Sequence, residues 1–368
     1  DLVSEWCCSF PIFSSTFHYG LHHLAHHQFV NDPIRDPDIS QLELSGHRLN
    51  FPILKREFKH VLLRQMWLPN LVRYSFARAQ YDSLGTSNNP YISKDWEFSK
   101  LPAQVSLVYL VAMVAISIGL TFYGSPFLLA VVPTVAWLAI MACYWLMPER
   151  HFYQSKIRPL FSVRALMMMR MTFLTLLFAG LAWGSRATGQ FLLGYFFVLW
   201  IIPLLSSFPL CMVLRQIVQH GNADRGWLTN SRVFICNPLI NQAVFPLGQD
   251  YHLPHHMFAT VPHYRLRELH ESMLEYPEYR DQATVVEGYF VPKPPPPSPP
   301  TVMDVLGPEY APQEFHEVFI DNTVLEEAKV DEQDKADICR EGAEEAERVR
   351  REGRAGSWSV GEDSQGSE

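Results

Sequence analysis

Four long apolar segments dominate the middle of the chain. They cover residues 101–123, 126–147, 166–184 and 190–214. Because a helix rises about 1.5 Å per residue, about 20 apolar residues are needed to cross a hydrocarbon layer of about 30 Å. Each segment approaches or exceeds that length, and Arg170 is the one charged residue within them. The pattern predicts four transmembrane helices that pair into two hairpins.

Basic residues flank these segments on one side. They are concentrated in 55–100, in 148–165 between the two hairpins, and just after the last segment, whereas the turn at 123–126 has no charge and the turn at 184–189 has only Arg186. Cytoplasmic loops of membrane proteins carry an excess of Lys and Arg. We therefore expect both termini to lie on the cytoplasmic side, together with every residue before 101 and after 214.

Composition divides the rest of the chain. The chain has 368 residues and a net charge of −8, and the excess of acidic residues lies after residue 292. Residues 1–292 are therefore mildly basic, and nothing in this composition indicates nucleic-acid binding. We predict an interfacial segment at 1–100, the four helices within 101–214, a cytoplasmic cap at 215–291, and a Pro-rich linker with an acidic, disordered tail at 292–368. One helix is expected in that tail, around 323–352.

Histidine is concentrated at two places in the sequence. "HYGLHHLAHHQFVND" at 18–32 contains His18 and His22, followed by His23-x-x-His26-His27, and "YHLPHHMF" repeats the second pattern as His252-x-x-His255-His256. Residues spaced by three and four lie on one face of a helix. A further residue, His220, follows the last apolar segment. The predicted topology puts all of them on the same side of the membrane.

So many neutral imidazoles predict metal binding. Imidazole suits Zn, Cu, Fe and Ni, and seven or more ligands exceed what one tetrahedral zinc ion uses, so we expect two metal ions. Asp32, Asp36, Asp38 and Asp250 are candidate acceptors for the second ring nitrogens. The chain lacks the His-Glu-x-x-His motif of zinc proteases, and Glu-x-x-His, of which carboxylate-bridged di-iron bundles need two copies, occurs once.

Three stretches resemble the integral-membrane fatty-acid desaturase family. "HHLAHHQFVNDPIRDPDI" is similar to its second histidine box, "RQIVQHGNADRGWLTNSR" to the stretch that contributes a lone histidine, and "GQDYHLPHHMFATVPHYRLRELH" to its third box. The resemblance spans roughly 15–275. It implies an all-α fold, namely an integral-membrane helical bundle with a cytoplasmic helical cap that carries a histidine-rich di-metal site.

The resemblance also implies the ligands of two iron ions. These are His23, His26, His27, His220, His252, His255 and His256, with His22 as an adjacent candidate and His18 as a further one. The family's first box, His-x3-4-His, normally lies well upstream of the second. Here only His18-x-x-x-His22 has that spacing, so we expect the true first box to precede Asp1.

The implied activity is O2-dependent desaturation of the acyl chain of a lipid or an acyl-CoA. Since the His-Pro-Gly-Gly motif of a fused haem domain is absent, the electrons are expected from a separate donor of the ferredoxin or cytochrome b5 type. Two alternatives stay open at this point. One is a lipid or carotenoid hydroxylase or ketolase of the same superfamily, and the other is a non-catalytic membrane protein that binds metal.

Overall fold

A computed structural model describes residues 2–292, 298–312, 318–326, 328 and 330–352. Regular structure in these residues is almost entirely helical, which confirms the predicted all-α class. The described part also contains a two-stranded parallel sheet, in which β1 (Arg232–Phe234) pairs with β2 (Thr284–Val286). After short helical turns at Leu2–Ser4, Glu5–Ser9 and Phe10–Ile12, the α-helices are α1 (Thr16–Gln28), α2 (Pro37–Ser45), α3 (Phe58–Gln65), α4 (Leu68–Leu84), α5 (Leu101–Tyr123), α6 (Pro126–Leu146), α7 (Val163–Thr188), α8 (Leu192–Phe196), α9 (Ile202–Leu205), α10 (Ser207–His220), α11 (Pro238–Val244), α12 (His252–Met257), α13 (Leu266–Met273), α14 (Pro277–Gln282), α15 (Val302–Val305) and α16 (Glu332–Glu352).

The helices belong to two compact units, each formed from separated parts of the sequence. The first, here called the membrane unit, comprises residues 1–22, 78–206 and 328–331. The second, here called the histidine unit, comprises residues 23–77, 207–327 and 332–368.

Among the described residues, four helical segments are long and apolar enough to cross a membrane, as predicted. They are Leu101–Tyr123, Pro126–Leu146, Val163–Thr188 and Leu192–His220. The fourth differs from the prediction of one helix ending near 214. Its α-helical turns are interrupted by a π-helical turn at Phe197–Ile201 and by a non-helical residue at Ser206, because two prolines, Pro203 and Pro209, lack the N–H that a continuous helix uses.

In the membrane unit, α7 packs against both α5 and α6. Leu120, Leu129 and Ala182 form a small buried cluster between these helices. Two polar contacts link them further: Trp137 Nε1 donates to Thr172 Oγ1 (2.9 Å), and the Tyr109 hydroxyl pairs with that of Thr175. Large apolar side chains elsewhere on these helices are exposed, as expected for surfaces that face lipid.

The core of the histidine unit is assembled from distant segments. One buried cluster joins side chains from α2, α4 and α10 to β1, β2 and α15, including Leu42, Tyr74, Ile217, Phe234 and Val305. A second cluster places Leu253 of α12 against Val233 and Met273. Leu253 is fully buried and therefore anchors α12, the helix that carries His252, His255 and His256.

The acidic C-terminal part is more ordered than the sequence predicts. Val302, Val305 and Leu306 are buried in the core of the histidine unit, and Asn222 donates from Nδ2 to the carbonyls of Val305 and Gly307. α16 agrees with the helix expected around 323–352. Short apolar stretches thus hold residues 302–306 and 318–325 in place despite the acidic composition. The end of the predicted disordered tail, 353–368, and most of the proline run lie outside the described residues.

We expect the core position of Leu306 to be measurable as stability. Leu306→Ala should lower the free energy of unfolding by about 2–5 kcal/mol, because it leaves a cavity among buried side chains. The measurement is chemical denaturation of the detergent-solubilised protein. Glu309→Gln, at an exposed position nearby, is the matched control and should unfold like the wild type; equal stability of the two variants would contradict the position of this segment.

Candidate metal centre

The first His-x-x-His-His motif of the chain lies at the C-terminal end of α1. His23, His26 and His27 are spaced three and four residues apart, so one face of the last helical turns presents all three rings. The helix stops at Gln28, and the chain turns through Asn31, whose φ of 60° is in the left-handed region that Asn tolerates better than most residues.

The other four histidines come from two further helices. His220 is the last residue of α10, and His252, His255 and His256 belong to α12. Pro254 lies in the first turn of α12, where its missing N–H costs no helical hydrogen bond. The spacing of three and four therefore places the three α12 rings on one face, as in α1.

The rings form two groups through their Nε2 atoms. In the first, which we call the four-histidine group, Nε2 of His220 lies 3.2 Å from that of His26 and 2.8 Å from that of His252. The Nε2 atoms of His252 and His256 are 3.1 Å apart. All four residues are buried, and their nitrogens have the mutual spacing of ligands around one tetrahedral ion, for which bond lengths of about 2.0–2.1 Å are usual.

The second group, which we call the three-histidine group, consists of His23, His27 and His255. The three Nε2 atoms form a nearly equilateral triangle: the His23–His27 and His27–His255 distances are both 3.1 Å, and the His23–His255 distance is 3.2 Å. The structure thus brings together the six histidines of the two His-x-x-His-His motifs and the lone His220, and the contacting pair His23 and His255 is 232 residues apart in sequence.

Three mutual contacts of this kind cannot all be hydrogen bonds between neutral rings. The Nε2 of a neutral imidazole is either a donor or an acceptor, never both. In a triangle, at least two of the three atoms must then have the same role, and that pair repels. A metal ion that accepts all three lone pairs removes this conflict, so the donor set of the three-histidine group fits a metal ion better than it fits a hydrogen-bonded network.

Outer contacts fix the orientation of two rings in the four-histidine group. His26 Nδ1 donates to Asp36 Oδ1 at 2.9 Å, and His220 Nδ1 donates to the carbonyl oxygen of Asn230 at 3.0 Å. Both acceptors lack a proton to give, so each ring carries its proton on Nδ1 and directs the lone pair of Nε2 at the other ring. The repulsion between these two lone pairs is relieved by a cation, either a second proton on His26 or a metal ion shared by both rings.

The loop between α1 and α2 couples these outer contacts. Asn31 Nδ2 donates to the same Asn230 carbonyl, and its backbone N–H donates to Asp36 Oδ2. Asp36 also caps α2, since its Oδ1 accepts the N–H of Asp38. Buried Asp32 pairs with Arg225 (2.7 Å). The Asn-Asp-Pro and Asp-Pro-Asp sequence of this loop therefore has a direct role in orienting His26 and His220.

Burial controls the charge of most rings. Burial, and then the neighbouring rings, hold the pKa of His27, His252 and His256 well below 6.5, and burial lowers the pKa of His255 to about 4. These four rings are neutral at physiological pH, as metal ligands must be. Burial also opposes the charged form of His26, but the carboxylates of Asp36 and Asp38 outweigh it and raise its pKa to about 9.

Three buried ring nitrogens support the same interpretation. The Nδ1 atoms of His27, His252 and His256 have no hydrogen-bond partner among the described residues. A buried polar atom without a partner is costly. Binding of a metal ion by the Nε2 atoms of the same rings would offset that cost.

Two predicted candidates do not belong to either group. His18 and His22 are part of the membrane unit. His22 Nδ1 lies 3.4 Å from Asp82 Oδ1, and its ring packs edge-on against Tyr81. The ring of His18 is buried against Tyr153.

Of the four candidate acceptors, Asp36 contacts a ring directly, and Asp38 is 3.7 Å from the same His26 Nδ1. Asp32 instead binds Arg225, and Asp250 accepts from Asn241. The sequence did not identify the Asn230 carbonyl as the acceptor for His220 Nδ1. Every residue has a backbone carbonyl, so no side-chain pattern marks this one.

Comparison with known proteins agrees with this geometry. A family model described as fatty acid desaturase matches residues 1–153 and 141–286. These two matches contain every histidine of both groups. No curated protein and no solved structure matches the chain significantly.

The contact between His26 and Asp36 yields a prediction about metal affinity. Asp36→Asn should weaken binding of Co²⁺ to the four-histidine group by about 10–100-fold, because a neutral amide orients and polarises the ring less well than a carboxylate. Titration of the metal-free protein with Co²⁺, followed by absorption, measures the effect. Asp38→Asn, at the longer distance, should change affinity much less, and an equal loss in both variants would contradict the assigned role of Asp36.

Proposed function

The chain belongs to the fatty acid desaturase family, and we propose that it catalyses the O2-dependent desaturation of an acyl chain carried by a lipid or by CoA. The family implies an oxidoreductase, and four apolar helices support its integration in a membrane. The observation that carries the proposal is the convergence of seven imidazole Nε2 atoms into two adjoining groups. Two metal ions held by neutral nitrogen ligands suit the oxidation of an inert C–H bond.

Iron is the metal that fits this activity. Imidazole accepts Zn, Cu, Fe and Ni, but zinc has no redox chemistry, and the family resemblance favours iron. In the proposed reaction, two adjacent methylene groups lose one hydrogen each and form a C=C bond, while O2 takes up those hydrogens, two electrons and two protons to give two molecules of water. Two bound iron ions would supply the activation of O2.

The residues of this chain have separate tasks in the proposal. The four-histidine group, oriented by Asp36 and the Asn230 carbonyl, and the three-histidine group would hold one ion each. The four-histidine group is buried, and the exclusion of water there would protect a reactive oxidant and strengthen electrostatic interactions. We further propose that the two electrons come from a separate donor protein of the ferredoxin or cytochrome b5 type, and that the histidine groups face the cytoplasm, an orientation that the distribution of basic residues supports.

The test of activity is a lipid profile. The complete coding sequence that contains this chain is expressed in a desaturase-deficient host together with candidate electron donors, and the lipids are analysed by mass spectrometry. We expect new unsaturated acyl chains with the wild type and a loss of at least about 100-fold with His26→Ala, since one ligand of the first ion is removed. His60→Ala, at an exposed position outside both groups, is the matched control.

Other results would redirect the assignment. Hydroxylated or ketolated products would identify the hydroxylase or ketolase activity instead. If metal is bound but no lipid changes in the presence of several donors and O2, the chain is a non-catalytic metal-binding protein.

Metal content gives a second test that separates the two groups. The purified wild type should contain two iron ions per chain. His255→Ala removes a ligand of the three-histidine group alone and His252→Ala a ligand of the four-histidine group alone, so each variant should retain about one ion. Metal analysis by mass spectrometry checks this, with exposed His263→Ala as control. Loss of both ions in both variants would show a single cooperative site rather than two groups.

A further inference from the structure

The C-terminal part of the chain contacts the loop that orients the metal ligands. We define the C-terminal strap as residues 318–326 and 332–342, and the ligand loop as residues 28–36. Both belong to the histidine unit. The strap is anchored by its own apolar side chains, since Leu325 and Ile338 are almost completely buried. It was expected from the sequence to be a disordered tail, so these contacts call for an explanation.

The strap meets the ligand loop at its beginning. Gln28, fully buried and directly after the ligand His27, donates from Nε2 to Asn322 Oδ1 at 2.8 Å. Asn322 is held in turn by its neighbour, because the Asp321 carboxylate accepts the N–H of Thr323 and closes a helical turn over Asn322–Leu325. The acceptor for Gln28 is therefore presented by a fixed turn.

Two further contacts hold the loop near its two ends. Arg35 donates from Nη1 to the carbonyl oxygen of Glu341 (3.1 Å). Gly342 passes close to Phe29 at the other end of the loop: a Cβ at Gly342 would lie 3.5 Å from the Phe29 ring and only 3.2 Å from the Ile320 side chain. The absence of a side chain at Gly342 thus allows α16 to approach the loop.

A third set of contacts reaches the loop through Arg225. The N–H of Phe319 donates to the Arg225 carbonyl (3.0 Å), and the Phe319 ring packs on Trp227. The side chain of Arg225 forms the buried ion pair with Asp32 inside the ligand loop. The strap therefore fixes both the loop and the cation that neutralises it.

We infer that the C-terminal strap is a positioning element for the metal ligands: its contacts with Gln28, Arg35 and Arg225 hold the ligand loop, and the loop, through Asn31 and Asp36, holds His26 and His220. This inference rests on the metal centre proposed above. It assigns a function to a part of the chain that lies outside the matched residues 1–153 and 141–286. None of the strap residues is a metal ligand, so their effect is indirect.

The test compares two substitutions of one residue in the full-length chain. Asn322→Leu keeps the number and branching of the side-chain heavy atoms but removes the acceptor for Gln28, whereas Asn322→Asp keeps an acceptor oxygen. In the metal-free protein, amide hydrogen exchange of residues 28–36 should be about tenfold faster in Asn322→Leu than in the wild type, because a buried donor loses its partner. Asn322→Asp should exchange like the wild type.

The second measurement uses Co²⁺ as the probe metal. Its visible absorption reports the geometry of the ligands, and its release to a chelator reports how firmly they are held. Asn322→Leu should change the spectrum and release cobalt about tenfold faster, and Asn322→Asp should restore both. Phe319→Ala, which removes the packing on Trp227, should act in the same direction. Glu326→Gln, at an exposed position of the strap, is the control.

The outcomes separate this inference from the proposed function. If Asn322→Leu loosens the loop but leaves the cobalt spectrum and release unchanged, the strap does not position the ligands. If exchange in the loop is unchanged, the strap does not hold it. A wild type that binds no cobalt would refute the metal centre itself, and this inference with it.

Discussion

Seven imidazole nitrogens lie close together in the histidine unit although the rings cannot satisfy one another there. The triangle of His23, His27 and His255 excludes a complete set of hydrogen bonds between neutral rings, and the contact between His26 and His220 needs a cation, either a second proton on His26 or a metal ion. Without a cation, these contacts oppose folding. The rest of the unit has to supply enough packing and enough hydrogen bonds to hold the rings where a metal ion needs them.

That support comes mainly from the loop after α1. The Asn31 side chain donates to the carbonyl that orients His220, and the Asn31 backbone N–H donates to the carboxylate that orients His26. One residue thus links two rings that are 194 residues apart in sequence. Arg225 and Asp32 add a buried ion pair with little exposure on either side. Such pairs contribute little net stability compared with apolar packing, but removing one partner is strongly destabilising, and this makes the loop geometry hard to change.

The sequence predicted the parts of this arrangement that depend on regular spacing. Long apolar segments identified the membrane helices, and the spacing of three and four identified the histidine faces of α1 and α12. It did not reveal which rings lie in the same group, because the division into four and three depends on how three helices cross. It placed His22 among the ligands by its helical position, whereas Asp82 and Tyr81 contact that ring in the structure. The ordered segment 302–306 was missed because a few buried apolar residues outweigh its acidic surroundings.

The distance between the histidine segments along the chain explains why the metal centre and the fold depend on each other. Bringing together helices that are separated by about 200 residues costs chain entropy, although this cost rises only slowly with loop length. The free energy gained by burying apolar side chains in the core of α2, α4, α10 and β1 offsets this entropic cost. The rings then face one another with their lone pairs unsatisfied, and in the proposed metal centre an ion that binds the folded form would stabilise it. The core therefore creates the arrangement of the rings, and the proposed ions would in turn favour the one packing of α1, α10 and α12 in which all seven nitrogens converge.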